Sequence, residues 1–182
     1  MSYSDLNRRK FIQLASAGFV TTTLMPTQAL ASLASKPRNI VFNNLHTGEK
    51  IETCYFDGST YVTEELDRIN HICRDFRRNE SHPMDKLLLD KISAIQSALG
   101  TNAEVQIISG YRSPATNEML RGKSSGVAKK SHHMLGKAID FRLEGVALAD
   151  VRKAAISLKA GGVGYYPGSN FIHIDTGATR SW

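Results

Sequence analysis

Ser131-His132-His133-Met134-Leu135-Gly136-Lys137-Ala138-Ile139-Asp140 is the stretch on which the reading of this chain turns. It sets a histidine, a turn and a carboxylate in succession, with His133 and Asp140 seven residues apart. On one straight strand that spacing spans roughly 23 Å, and on one helix roughly 10 Å along the axis. Two ligands of a single metal ion must each come within roughly 2.0–2.2 Å of it. The chain therefore has to double back between them, and Gly136 is the residue best able to allow it.

Beyond the turn, Lys137 to Leu143 alternates. Ala138, Asp140 and Arg142 fall on one face of a strand, and Ile139, Phe141 and Leu143 on the other. The apolar face can pack on a core, which leaves Asp140 toward a cleft. Phe171-Ile172-His173-Ile174-Asp175 repeats the pattern, with His173 and Asp175 opposite Ile172 and Ile174. A second strand beside the first would bring His173 to His133 and Asp140. Two His and one Asp leave a fourth zinc position open, which is the arrangement of a catalytic rather than a structural site. The competing reading is a set of hydrogen-bonded structural histidines in apolar strands.

Ser131, His133, Gly136, Ala138 and Asp140 stand in the order and spacing S-x-H-x-x-G-x-A-x-D. In this the chain resembles the D-alanyl-D-alanine carboxypeptidase-like zinc peptidases. Ser109-Gly110-Tyr111-Arg112-Ser113 resembles their S-G-Y-R segment, and His173 sits where they carry their last ligand. With Gly162-Val163-Gly164-Tyr165-Tyr166-Pro167, the chain after its N-terminal segment is similar to the narrower group of periplasmic murein endopeptidases. The resemblance implies zinc on His133, Asp140 and His173. It implies that Arg112 faces the active site, where its planar fork suits a carboxylate or an oxyanion; a structural arginine bonded to a loop carbonyl is the alternative. It implies that Ser131 bonds the substrate backbone or its terminal carboxylate. The activity implied is hydrolysis of peptide cross-links in peptidoglycan, in particular bonds between diaminopimelate residues. A D-alanyl carboxypeptidase and a non-catalytic peptidoglycan-binding zinc protein are the rivals.

The resemblance fails at one position. The carboxypeptidases place a catalytic Glu three residues before the last ligand, and this chain has Asn170 there. An amide cannot take up the proton. Asp175, on the strand face of His173, is the preferred substitute base, with an orienting role as its alternative. His132 is the second substitute.

The 182 residues suit one domain, and 41% hydrophobic content is enough for a core. Residues 1–31 read as a twin-arginine export signal: Arg8-Arg9, an apolar run from Phe11 to Met25, Pro26, and Ala29-Leu30-Ala31 as a cleavage site. Cleavage after Ala34 is the second choice. The apolar run is too short and too polar for a membrane anchor, which needs about 20 apolar residues. Residues 32–182 form the expected zinc peptidase domain, located in the periplasm, with peptidoglycan stem peptides and the export machinery as partners. Without the signal, three of 23 basic and one of 17 acidic residues are gone, and 20 against 16 leaves a net charge of +4. No aromatic-and-basic patch accompanies that charge, so nucleic-acid binding is not expected. Acidic stem peptides are another polyanion for it to meet, and the Gly/Ser/Lys loop Arg121–Lys130 either attracts them or is simply solvated.

The expected fold is α+β: a small antiparallel sheet carrying the zinc site, with helices packed against it. Residues 39–45 and 50–56 read as a hairpin. Thr63 is the predicted cap of a helix reaching about Arg77. A second helix is predicted from about Met84 to Leu99, with Leu87, Leu88, Ile92, Ile95 and Leu99 as its buried stripe. Further elements are a strand at Val105–Ser109, a short helix near Ala115–Leu120, and a helix from Leu148 to Lys159. Cys54 and Cys73 could pair in an oxidising compartment or stay as thiols, and sequence does not choose between these.

Overall fold

The computed structural model describes residues 36–124 and 126–182. The export signal expected over residues 1–31 lies outside them. The apolar runs on either side of Gly48 pair as an antiparallel hairpin, β1 (Arg38–Asn44) and β2 (Lys50–Phe56).

Helix α1 (Thr63–Ile72) is shorter than predicted, and Val62 rather than Thr63 is its N-cap. It stops because the next residues are committed elsewhere. The Cys73 carbonyl accepts from the Tyr111 N–H at 2.7 Å, and Asp75 pairs with Glu80 across a tight loop. Helix α2 (Lys86–Ala98) follows Asp85, whose carboxylate caps it by accepting from the Leu87 N–H. Its inward face centres on Leu88, Ile92 and Ile95. Leu87, predicted to be buried, is 64% exposed, because five residues before Ile92 places it about 140° around the helix. Leu89 and Lys91 take buried positions instead.

The remaining elements are β3 (Val105–Ser109), α3 (Pro114–Arg121), a 3₁₀ turn at His132–Leu135, β4 (Ala138–Leu143), α4 (Leu148–Ser157), β5 (Gly162–Tyr166), β6 (Phe171–Asp175) and β7 (Arg180–Ser181). The strands form one sheet in the order β2-β1-β3-β4-β6-β5-β7. The fold is α+β, as the sequence suggests. The sheet is mixed rather than antiparallel throughout, since β1 with β3 and β5 with β7 run parallel. Between β1 and β3 the chain makes β2, α1 and α2, and this long crossover lets it re-enter in its original direction.

One face of the sheet builds the core. Phe42, Ile107, Ile139, Phe141, Ile172 and Ile174 are at most 1% exposed and pack with Ile69 and Ile72 of α1, Leu88, Ile92 and Ile95 of α2, and Val151 and Ala155 of α4. The alternation that buries these residues turns their neighbours Asp140 and His173 to the opposite face. Cys54 is half-buried, Cys73 is buried, and both are free thiols. Burial pushes the Cys73 thiol up to about 12. Among the described residues no helix is long and apolar enough to cross a membrane.

Candidate metal centre

Strands β4 and β6 lie side by side, with Asp140 directly opposite His173. Opposed residues share a face and stand close enough for their side chains to meet. His133 reaches the same point from the 3₁₀ turn. Ser131 begins that turn, its Oγ accepting from the His133 N–H at 3.3 Å, and Gly136 ends it with φ 64°. A Cβ at Gly136 would lie 2.1 Å from the Pro83 carbonyl oxygen, so both the angle and the space require glycine. His133 Nε2 comes to 3.3 Å from Asp140 Oδ1, and His173 Nδ1 to 2.8 Å from the same oxygen. One ligand atom from each of the three residues lies within 4.8 Å of the others.

The outer nitrogens of both rings are already engaged. His133 Nδ1 is 2.7 Å from the Gly110 carbonyl oxygen, which can only accept, so this nitrogen carries the proton. His173 Nε2 is 3.0 Å from Asp175 Oδ2 and donates to that carboxylate. In the neutral rings, Nε2 of His133 and Nδ1 of His173 therefore turn lone pairs toward a carboxylate oxygen. Three acceptors converging on one point suit a cation, and a ligating histidine whose second nitrogen donates to a carbonyl or carboxylate is a common support for one. Burial pushes the Asp140 carboxyl up, but the two histidines, when they carry a second proton and donate to it, outweigh burial and hold it well below the usual range. For His173, burial favours the neutral ring, and the bonds to Asp140 and Asp175 outweigh it, so its affinity for a proton is raised. The centre is electronegative and attracts positive charge.

These residues line a cleft of about 410 Å³. A roomier hollow of about 580 Å³, between β2 and α1, contains Glu49, Asp67 and His71. Among the described residues, His133, Asp140 and His173 make the one group able to share a metal ion. Arg112 lines the cleft from the end of β3. Among the described residues its side chain has two long hydrogen bonds, to Asn117 Oδ1 and Ser109 Oγ at 3.4 Å each, which leaves N–H donors for a ligand. Ser131 lines the cleft as well.

Asp175 shares the centre's face but is 0% exposed. Its carboxylate accepts from His173 Nε2, from the backbone N–H of Gly162 and Gly177, and from both terminal nitrogens of Arg180. Burial opposes its ionisation, yet these donors hold its carboxyl far below the ordinary range. Asn170, the residue in the place of the relatives' Glu, is exposed, in the left-handed conformation that asparagine tolerates. His132 lines the cleft with its Nδ1 buried and without a partner among the described residues.

Several supports carry no local signal in sequence. The Asp75 carboxylate accepts from the Ser113 N–H at 3.0 Å and hydroxyl at 2.7 Å, which anchors the loop bearing Arg112. Within that loop the Arg112 N–H donates to the His133 carbonyl at 3.2 Å. Lys91 is 5% exposed and donates to the carbonyls of Gly162 and Asp175 beneath the centre. A lysine in a helix reads as solvent-facing, and Asp75 reads as one more residue of α1.

A family model described as peptidoglycan L,D-endopeptidase MepK matches residues 32–182, which include every residue of the cleft. The chain belongs to this family. The peptidoglycan L,D-endopeptidases MepK of Escherichia coli K12 and Shigella flexneri are each 51% identical to it, over 100% of this chain and 100% of their own length. The probable peptidoglycan L,D-endopeptidase MepK of Haemophilus influenzae is 45% identical, over 100% of this chain and 98% of its own.

Proposed function

We propose that this protein is a periplasmic, zinc-dependent murein endopeptidase that hydrolyses peptide cross-links of peptidoglycan. The observation that carries the proposal is the His133–Asp140–His173 triangle, whose lone pairs converge at an open cleft. The names of its relatives favour the L,D class of bond, which includes cross-links between diaminopimelate residues.

Zinc held by these three ligands would supply Lewis acidity, which acidifies water and polarises an amide carbonyl. The chain's own residues orient the reactants. Arg112, with donors to spare, would hold a stem-peptide carboxylate or the oxygen that gains charge as the amide is attacked. Ser131, which lines the same cleft, would bond the peptide backbone. Asp175 now reads as a positioning residue rather than a base. Its oxygens already accept five N–H donors, and its bond to His173 fixes the tautomer that leaves Nδ1 free. Among the described residues lining the cleft, the carboxylates are Asp140 and Asp175, and neither is placed to take a proton from water. Residues 1–31 would direct the chain through the twin-arginine route.

Purified protein incubated with cross-linked muropeptide dimers should convert them to monomers, read by mass spectrometry, and chelation should stop the conversion. Release of free D-alanine from monomeric pentapeptide with dimers left intact would make it a carboxypeptidase. Retention on sacculi without hydrolysis, even with zinc added, would make it a binding protein.

A further inference from the structure

Trp182 follows β7 directly and is the single tryptophan of the chain. It is 47% exposed, yet it is held from several directions. Its backbone N–H donates to the Val163 carbonyl at 3.2 Å, and its carbonyl accepts from the Tyr165 N–H at 3.0 Å. Its indole N–H donates to the Tyr166 hydroxyl at 2.7 Å. The ring lies against Gly164, where a Cβ would come within 2.8 Å of it. Gly164 is the β5 partner of His173. The indole thus occupies the space beside that histidine which a side chain on β5 would otherwise fill, with ring centroids 5.4 Å apart. Arg180 sets its guanidinium 5.0 Å from the indole centroid. Tyr166, 38% exposed, stacks on Phe171 at 4.7 Å, and all three aromatic residues line the cleft.

The backbone bonds continue the β5–β7 ladder, while the indole bond to Tyr166 and the contact with Gly164 fix the ring itself. A rigid, half-exposed indole offers apolar area whose ordering cost has been met before a ligand arrives. The sheet order decides where that area lies. Arg112 comes from the end of β3 and Trp182 from the end of β7, with the ligand strands β4 and β6 between them. A peptide centred on those strands meets a guanidinium on one side and an aromatic wall on the other.

We propose that Trp182, braced by Tyr166, forms a substrate subsite that takes the aliphatic part of a residue flanking the scissile amide, opposite the carboxylate subsite at Arg112. This rests on the endopeptidase reading and adds to it a direction for the bound peptide. Diaminopimelate suits such a wall, because its methylene spine can lie on the indole while its charged ends stay hydrated.

The single tryptophan makes its own reporter. Zinc-loaded protein is titrated with a stem tripeptide ending in diaminopimelate, and the indole emission is followed. A saturable blue shift is expected, with a response at least about tenfold weaker for a tripeptide ending in alanine, given the size of aromatic contacts. Trp182→Ala should raise KM for cross-linked dimers about tenfold and leave kcat and zinc content within about twofold. Unchanged emission at peptide concentrations that saturate hydrolysis would overturn the subsite. So would equal responses to the two tripeptides, or a variant that loses zinc and kcat with KM unmoved. If the wild-type protein cuts no dimer, the endopeptidase reading falls while the emission titration still decides the subsite.

Discussion

Two carboxylates, Asp90 near one edge of the sheet and Asp140 near its middle, sit in crowded polar surroundings with opposite chemistry. Asp90 of α2 faces Arg38 of β1 and the hydroxyls of Tyr55 and Tyr61, the latter at 2.6 Å. The Arg38 guanidinium also lies 3.9 Å from the Phe56 centroid. Every partner of Asp90 is a donor, so the cluster is complete and ties the first hairpin to α2. Asp140 has two ring nitrogens as partners, and both rings have spent their proton on Gly110 and Asp175. Burial and crowding are common to both places; the balance of donors and acceptors is not. A balanced cluster holds a fold, and an unbalanced one calls for a cation.

That contrast is breakable. The largest effect is expected at the ligands: His133→Ala or Asp140→Asn should abolish stoichiometric zinc and lower turnover by at least on the order of 10³-fold. Because Asp140→Asn removes a charge from among lone pairs without opening a cavity, that variant, metal-free, should unfold no more easily than the metal-free wild type; His133→Ala also strands the Gly110 carbonyl and is read for zinc and turnover only. Elemental analysis and denaturant titration check both halves, and a large loss of metal-free stability would place the triangle among structural clusters.

Asp175→Ala comes next. If Asp175 acts through the His173 tautomer, zinc affinity and turnover should fall together by about 10- to 100-fold, which chelator competition and kinetics can read. Turnover lost with zinc affinity intact would restore the base role.

Asp90→Ala should do the reverse. Stranding Arg38 and two tyrosine hydroxyls should cost about 2–3 kcal/mol of stability, seen in the denaturant midpoint, with zinc content unchanged. An effect on zinc would mean the two regions are not independent.

The smallest effect concerns Lys91, the buried cation below the centre. Burial pushes its pKa down to about 8, with Asp175 opposing. An unfolded lysine titrates at about 10.4, so between these values the unfolded chain binds more protons, and this residue's contribution to stability rises as pH rises through that window. Lys91→Met should flatten the rise. Denaturant midpoints at two pH values inside the window decide it, and identical slopes for variant and wild type would sink the assignment.

Periodicity made much of the fold legible. The alternation in Lys137–Leu143 and in Phe171–Asp175 separates core residues from Asp140 and His173, and β4 and β6 pair in that sense. The need for a turn at Gly136 was legible too, from spacing alone. Where periodicity misled, a distant contact had taken over. Helix α1 ends early because residues 73–75 bind the loop at 110–113, and Leu87 is exposed because α2 turns a different face inward.

Sequence by itself determined which residues could meet: the faces of each strand and the need for a reversal between His133 and Asp140. These follow from local backbone geometry, which repeats every few residues; that Asn170 stands where a base is expected follows from the family resemblance alone. Tertiary structure alone decided what each of them can do. The proton on His133 is placed by Gly110, and the chemistry of Asp175 by Gly162, Gly177 and Arg180, because a buried polar group takes its role from whichever donors and acceptors the folded chain brings to it.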